Sequence, residues 1–364
     1  MTPRRPVRVC LVGPSLDILG GQAIAAQRLL ERLRTVPGLE VSFLPVNPRL
    51  PGPLRLLQRV KYVRTVVTSI AYISALLWRT WRYDVLHVFS ASYWSFLLAP
   101  TPAILIGRLF GKPVVLNYRS GEADDHLARH GRVAIPILRL ATVIVVPSGY
   151  LVGIFARHGL TATVILNFIE LDRFRFRPRG RPRPALLANR NFEELYGVDD
   201  VIRAFGLVQS AWPDAHLVLV GGGSRDGELR ELTARLGLRH VDFAGQIPPG
   251  EMPARFDAAD IYVNASRIDN MPQSILEAYA AGTPVVTTDA GGIPFIATAE
   301  RTALMVPVHD WQALGQAVLR LLNDGDLAGR IAQAAHDECV FRYSGTSIAA
   351  EWRALYESLA RSNA

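Results

Sequence analysis

The stretch that decides the fold is residues 261–289, "IYVNASRIDNMPQSILEAYAAGTPVVTTD". A short apolar run, 261–266, gives way to a loop that carries Asp269. Pro272 suits the first position of a helix, where its missing N–H is no loss, and Met271 before it is pushed toward extended angles that suit an N-cap. Ile275, Leu276 and Tyr279 then form an apolar stripe, and Gly282 is placed to end the helix. A second apolar run, "PVVTTD", follows at 284–289. Strand, helix and strand in this order form a parallel unit, because the crossover returns the second strand alongside the first.

The same alternation runs along most of the chain. "VRVCLV" (7–12), "LEVSFLPV" (39–46), "YDVLHVFS" (83–90), "KPVVLNY" (112–118) and "ATVIVVPS" (141–148) read as strands. "AIAAQRLLERLRTV" (23–36) and "PAILIGRLFG" (102–111) read as helices. The pattern breaks at 170–184, "ELDRFRFRPRGRPRP", which has no apolar period and is rich in Pro and Arg, so it reads as a linker. It then restarts with "PALLAN" (184–189), a helix over 197–212, "AHLVLVGGG" (215–223) and "HVDFAGQI" (240–247). The expected fold is α/β: two Rossmann-like domains with parallel sheets, facing across a cleft, with ligands outside the carboxyl ends of the strands. The expected limits are 1–169, a linker over 170–184, 185–340, and a C-terminal helix at 341–364 that crosses back to the first domain.

Charge is divided between the halves. Residues 1–184 hold 26 Lys+Arg against 9 Asp+Glu, and residues 185–364 hold 14 against 23. The basic half favours an anionic partner. Between Val41 and Tyr83 there is no acid, but there are seven bases: Arg49, Arg55, Arg59, Lys61, Arg64, Arg79 and Arg82. The uncharged run "TVVTSIAYISALLW" inside this segment is too short for a span of about 20 residues. Residues 49–82 fit either a core helix with a solvated basic side or a basic amphipathic element on an anionic membrane face. Nucleic acid is a poor partner, since no recognition motif or aromatic ladder accompanies the bases. Cys10 and Cys339 are too few and too far apart for a disulfide framework or a C-x-x-C site. With no signal-peptide pattern ahead of the first strand, a cytoplasmic protein is expected, peripheral on the inner membrane face if the basic segment binds lipid. "DGD" at 324–326 mimics a metal motif but lies between two helices and reads as a turn; no metal site is expected.

From spacing alone, Asp269 and Glu277 admit two readings: a capping Asp with a surface Glu, or two acids of a binding site at the positive end of a helix. The wider pattern separates them. "DNMPQSILEAYAAGTPVV" followed by "DAGGIP" resembles the signature of the retaining glycosyltransferases of family 4 (glycosyl transferases group 1), whose fold is GT-B. Their usual form is E-G-x-P-x-x-x-x-E. "GGQAIAAQRLLERL" (20–33), residues 143–174 and residues 197–223 resemble further segments of that family, and the likeness is weakest at 45–85.

The resemblance implies the following roles. Glu277 would take the ribose hydroxyls of a nucleoside diphosphate sugar, and Asp269 the hydroxyls of the transferred sugar. Arg190 would bind the donor diphosphate; a plain surface arginine is the other reading. Asn270, Met271 and Gln273 would approach the sugar or diphosphate. Gly222 and Gly223 would admit the nucleotide, Gln246 and Ile247 would border its base, and Gly20 and Gly21 would approach the phosphate unless they only form a tight turn. No cofactor other than the donor substrate is implied.

Three positions depart from the family. Asp269 stands for a glutamate. The family's diphosphate lysine has no counterpart: "FEELYG" puts Tyr196 near its place, and Lys61 and Lys112 are the only lysines of the chain. Arg190 would then act alone or with Arg267 or Arg225. Arg119 stands where histidine is common, which makes Tyr118, Arg119, Glu122 and His126 candidates on the acceptor side, although a histidine at 126 also fits an exposed helix position. His87 is either a further acceptor-side group or a packed strand histidine. The implied activity is retaining, metal-independent transfer to a lipid-linked or cell-surface glycan precursor. A nucleotide-sugar epimerase, a phosphorylase and a non-catalytic sugar-nucleotide-binding subunit share the pattern. A dinucleotide oxidoreductase does not, because no G-x-G-x-x-G follows the first strand.

Overall fold

The computed structural model describes residues 5–16, 21–50, 52–90 and 92–362. It divides into two compact units: residues 1–166 with 346–364, and residues 167–345.

Unit 1 is built on six parallel strands, β1 (Val7–Gly13), β2 (Leu39–Pro45), β3 (Val85–Ser90), β4 (Val114–Tyr118), β5 (Val143–Val146) and β6 (Thr163–Val164). Their order in the sheet is β2-β1-β3-β4-β5-β6. The helices are α1 (Gly21–Arg34), α2 (Lys61–Arg79), α3 (Trp94–Leu98), α4 (Pro100–Leu109), α5 (Ala123–Leu138) and α6 (Gly149–Arg157). β3 and β4 are buried at every position, as expected for strands covered on both faces. The core gathers Val12, Leu86, Val88, Leu116 and Val146 from the sheet against Phe96, Ile104, Leu127 and Phe155 from the helices.

Unit 2 repeats the plan with β7 (Ala185–Asn189), β8 (His216–Val220), β9 (Val241–Gly245), β10 (Ile261–Asn264), β11 (Val285–Thr288) and β12 (Leu304–Val306), in the order β12-β11-β10-β7-β8-β9. Its helices are α7 (Val198–Ala211), α8 (Asp226–Arg235), α9 (Met252–Ala258), α10 (Gln273–Ala281), α11 (Trp311–Asn323) and α12 (Gly325–Arg342). The last helix, α13 (Gly345–Ser362), places its residues from 346 onward in unit 1.

The opening stretch folds as β10, loop, α10 and β11. The helix starts one residue later than the proline rule suggests: Pro272 is the N-cap, with an extended ψ of 119°, and Gln273 is the first helical residue. Gly282 ends α10 in the left-handed region (φ 68°), and a Cβ there would also press into the Phe176 ring at 2.6 Å. Asp324 starts a helix as well as ending one, its carboxylate accepting the Leu327 N–H at 2.8 Å.

Residues 170–184 are not a free linker. They belong to unit 2, and their arginines cap its helices. Arg179 is buried and donates to Ala281 O (2.6 Å), Phe256 O (2.7 Å) and Ala259 O (3.0 Å), the carbonyls that end α10 and α9. Arg177 and Arg183 flank the buried Asp260 carboxylate; burial would raise its pKa, but the two guanidiniums outweigh that and hold it below the usual carboxylate range. The segment lacks an apolar period because its arginines bind carbonyls instead of packing methyl groups.

Candidate active site

In unit 2 the sheet order reverses at β7: β8 and β9 lie on one side of it, β10, β11 and β12 on the other. Open parallel sheets place ligands outside the carboxyl ends of the strands at such a point. Arg190 directly follows β7, and Asp269 lies on the loop after the adjacent β10. The structure joins them: Arg190 Nη2 donates to Asp269 Oδ2 in a largely buried ion pair. The guanidinium carbon stands 4.1 Å from the centre of the Tyr196 ring. Tyr196, in the place of the expected lysine, is therefore a platform for Arg190. Burial would lower the arginine's pKa; the Asp269 carboxylate outweighs it, and the net shift is upward. The buried Nε of Arg190 meets no acceptor among the described residues.

The loop that holds Asp269 is fixed by its own polar groups. Asp269 Oδ1 accepts the Asn270 N–H at 2.8 Å, and its carbonyl accepts the Gly292 N–H at 2.9 Å. A Cβ at Gly292 would collide with the Asn270 carbonyl oxygen. Ser266 Oγ donates to Asn264 Oδ1 at 2.9 Å, and Thr288 Oγ1 donates to the Ser266 carbonyl at 2.6 Å. Asn270 and Met271 are buried. Asn167 Nδ2 donates to Met271 O at 3.0 Å, and Gln273 Nε2 donates to Phe168 O at 2.7 Å, which tie the start of α10 to the first residues of unit 2.

Glu277 is 5% exposed, inside a helix whose positions 274–281 are all buried. It is therefore not a surface acid. Tyr262, from β10, lies within reach of the charges of Arg190, Glu277 and Asp269; burial is the largest influence on its hydroxyl and raises its pKa. No sequence signal marks Tyr262, since a tyrosine in "IYVNAS" looks like any buried strand residue.

The glycines after β8 serve backbone packing. Gly221 has φ 152°, and a Cβ there would collide with the Arg190 carbonyl. Gly222 O accepts the Phe192 N–H at 3.0 Å, and a Cβ at Gly223 would stand 2.5 Å from Phe192 O. Gly221 and Gly223 let the 190–193 loop lie directly on the end of β8, whereas a Cβ at Gly222 would meet only the Gln246 side chain at 3.4 Å. Gln246 is exposed and Ile247 half-buried after β9. Gly21 opens α1 in unit 1 with open space around it, and Gly20 lies outside the described residues.

The two supporting arginines are committed elsewhere. Arg267 Nη2 lies 2.8 Å from Asp199 Oδ2 and 3.2 Å from Asp200 Oδ2. Arg225 binds Glu228 through Nε at 2.8 Å and Asp199 through Nη1 at 3.3 Å. Arg267 is spent on the acidic first turn of α7, and Arg225 on Glu228 of α8 and on Asp199, which corrects the expectation that they assist Arg190.

The acceptor-side candidates lie in unit 1, and most are structural. His87 is fully buried: Nδ1 is 2.6 Å from Tyr356 Oη, Nε2 is 3.0 Å from Asn117 Nδ2, and Trp352 covers the ring at 4.6 Å. Burial, with Arg119 adding to it, pulls its pKa down to about 3. It is a packed strand histidine, with both nitrogens engaged. His126 is buried rather than exposed; its Nδ1 is 2.9 Å from Tyr118 Oη, which also meets Ser92 Oγ at 3.0 Å. Burial lowers the His126 pKa to about 4. Neither His126 nor the buried Tyr118 is open to an acceptor. Arg119 is half-buried, lowered to about 10 by its apolar surroundings, and Glu122 is exposed ahead of α5. Among the described residues no group of three or more His, Cys, Asp or Glu could hold a metal ion.

Comparison with known proteins agrees with this geometry. Residues 169–338, most of unit 2, match the family "Glycosyl transferases group 1". The chain is 28% identical to the glycogen synthase of Mycobacterium tuberculosis over 294 residues, 76% of this chain and 69% of that one. It is 26% identical to the phosphatidyl-myo-inositol mannosyltransferase of Mycolicibacterium smegmatis over 97% of this chain and 94% of that one. The crystal structure of Anabaena HepE in complex with UDP superposes with a TM-score of 0.76 at 17% identity, covering 97% of this chain and all of that one. Two six-stranded parallel sheets and the solved neighbour give the chain the GT-B fold, and residues 169–338, which hold the site at the switch point of the second sheet, are the segment that matches the glycosyl transferases group 1.

Proposed function

We propose that the protein transfers a glycosyl group from a nucleoside diphosphate sugar, with retention and without a metal, to a lipid-linked or cell-surface glycan precursor. One observation carries the donor reading: a buried guanidinium at the switch point of unit 2 keeps an Nε donor that no group among the described residues accepts. A diphosphate oxygen supplies that acceptor, and the forked geometry of arginine suits it. Binding would exchange partners, with Arg190 passing from Asp269 to the diphosphate and the Asp269 carboxylate turning to the sugar hydroxyls. Glu277 would take the ribose hydroxyls. Asn270, Met271 and Gln273 would border the sugar, and Gly222, Gly223, Gln246 and Ile247 the nucleotide.

In the transition state Arg190 would stabilise charge on the departing diphosphate. The departing phosphate oxygen would take the acceptor proton on the same face, so no side-chain nucleophile is required. The names of the relatives support this reading: one is described as a GDP-mannose-dependent mannosyltransferase, and HepE was solved with UDP-glucose. The test is a thermal-shift screen of UDP, GDP and ADP and their sugars, followed by NMR of the product's anomeric configuration. A rise in Tm with one sugar nucleotide and a retained anomer are expected; no shift with any of them, or an inverted product, overturns the reading. Tyr196 in place of the lysine favours one second reading, a subunit that binds the nucleotide sugar without turnover. Binding with no transfer across a broad acceptor panel would select it.

A further inference from the structure

Unit 1 contains a cavity of about 1150 Å³. It lies at the carboxyl ends of three neighbouring strands: Pro14 follows β1, Asn47 follows β2, and Phe89 is in β3. In the order β2-β1-β3 this is the switch point of the sheet, the place where a ligand site is expected. Four arginines line it, Arg49, Arg55, Arg59 and Arg64, and among the described lining residues there is no carboxylate. Cationic forks gathered without acids select an anion with several oxygens, and phosphate is one whose geometry such forks match.

A second observation comes from the outer side of α2. Val63, Val66, Ile70, Ile73 and Leu77 repeat at intervals of three and four, and all are exposed, Ile70 at 60%. Tyr72 and Leu76 already supply the core-facing side of this helix, so it is apolar on both sides. Trp78 (72% exposed) and Trp81 stand at its end beside Arg79 and Arg82. α4, packed against α2, exposes Leu105 and Leu109. No helix among the described residues is long and apolar enough to cross a membrane. A bare apolar face, tryptophans at its rim and bases without acids describe a helix lying in the plane of an anionic bilayer surface. The other occupant of such a stripe is a second copy, but pairing α2 with α2 would bring two acid-free basic segments together.

We infer that α2 seats unit 1 on an anionic membrane and that the arginine-lined cavity takes the phosphate of a lipid head group, so that the acceptor is a phosphate-bearing lipid. Its identity as acceptor rests on the transfer reading above; the binding does not. Flotation of the full chain with phosphatidylglycerol–phosphatidylcholine vesicles and with phosphatidylcholine alone tests the surface. Binding to the anionic vesicles only is expected, weakened about fivefold for each arginine removed in Arg55→Gln and Arg59→Gln, and lost in Ile70→Ser/Leu77→Ser. Dihexanoyl phosphatidic acid and inorganic phosphate test the cavity by thermal shift. The short lipid should raise the Tm of the wild type and of Ile70→Ser/Leu77→Ser, but not of Arg55→Gln/Arg59→Gln, and at equal concentration inorganic phosphate should do much less. Absence of flotation, an equal effect of inorganic phosphate, or a dimer that Ile70→Ser/Leu77→Ser dissociates overturns the inference. The shift of the wild type with nucleoside diphosphates keeps the two readings apart: its absence with vesicle binding intact speaks against the donor site alone.

Discussion

At the scale of the residue, the proposed site turns on the Arg190–Asp269 ion pair. Arg190→Ala removes the group that would meet the leaving diphosphate and leaves Asp269 without its cation. Transfer should fall by about 10²–10³-fold, ~3 kcal/mol, with the far-UV spectrum unchanged; full activity would remove Arg190 from the mechanism. Asp269→Glu, which restores the family's usual residue, should change the order of donors in the thermal-shift screen if the missing methylene selects the sugar. Gly292→Ala should cost more than 2 kcal/mol in urea titration, because its new Cβ strikes the Asn270 carbonyl and displaces the loop. Spacing alone leaves Asp269 and Glu277 open between a capping acid with a surface acid and a binding pair, and only the family resemblance singles them out together with Arg190. The engagement of Arg267 and Arg225 by Asp199 was not legible in the sequence. Neither was the burial of His87, whose covering residues, Trp352 and Tyr356, are more than 260 positions away in the sequence.

At the scale of the element, strand and helix periods located most of both sheets. β12 escaped, being three residues long with no room for a period. The segment 170–184 looks like a linker for a different reason: composition rules treat arginine and proline as solvent-facing, whereas Arg179 is held inside by three helix-ending carbonyls. Arg179→Ala would take one donor from each of those carbonyls and leave Asp260 with one cation fewer, and should destabilise unit 2 by about 3–5 kcal/mol in denaturant titration. Arg181→Ala, at an exposed neighbouring position, should change stability by less than about 0.5 kcal/mol. Equal effects of the two would mean that the segment is a tether after all.

At the scale of the whole molecule, the buried histidines make stability depend on pH. His87 and His126 are held neutral, at about 3 and about 4, whereas the unfolded chain protonates them near 6.5. The unfolded state therefore binds more protons below pH 6.5. The stability these sites contribute is complete above that pH and is lost as the pH falls toward 4 and then 3, by up to ~1.4 kcal/mol per pH unit for each histidine. Tm should drop between pH 7 and pH 5, and His87→Gln/His126→Gln should flatten the slope; an unchanged slope would assign it to other groups.

Unit 1 is also discontinuous, interrupted between residues 166 and 346 by all of unit 2. That has a mechanical consequence. Val7 and Ser362 both belong to unit 1, so a pull applied at these two points acts on unit 1 directly. Peeling α13 away under that load would take Tyr356 and Trp352 off His87 and expose it.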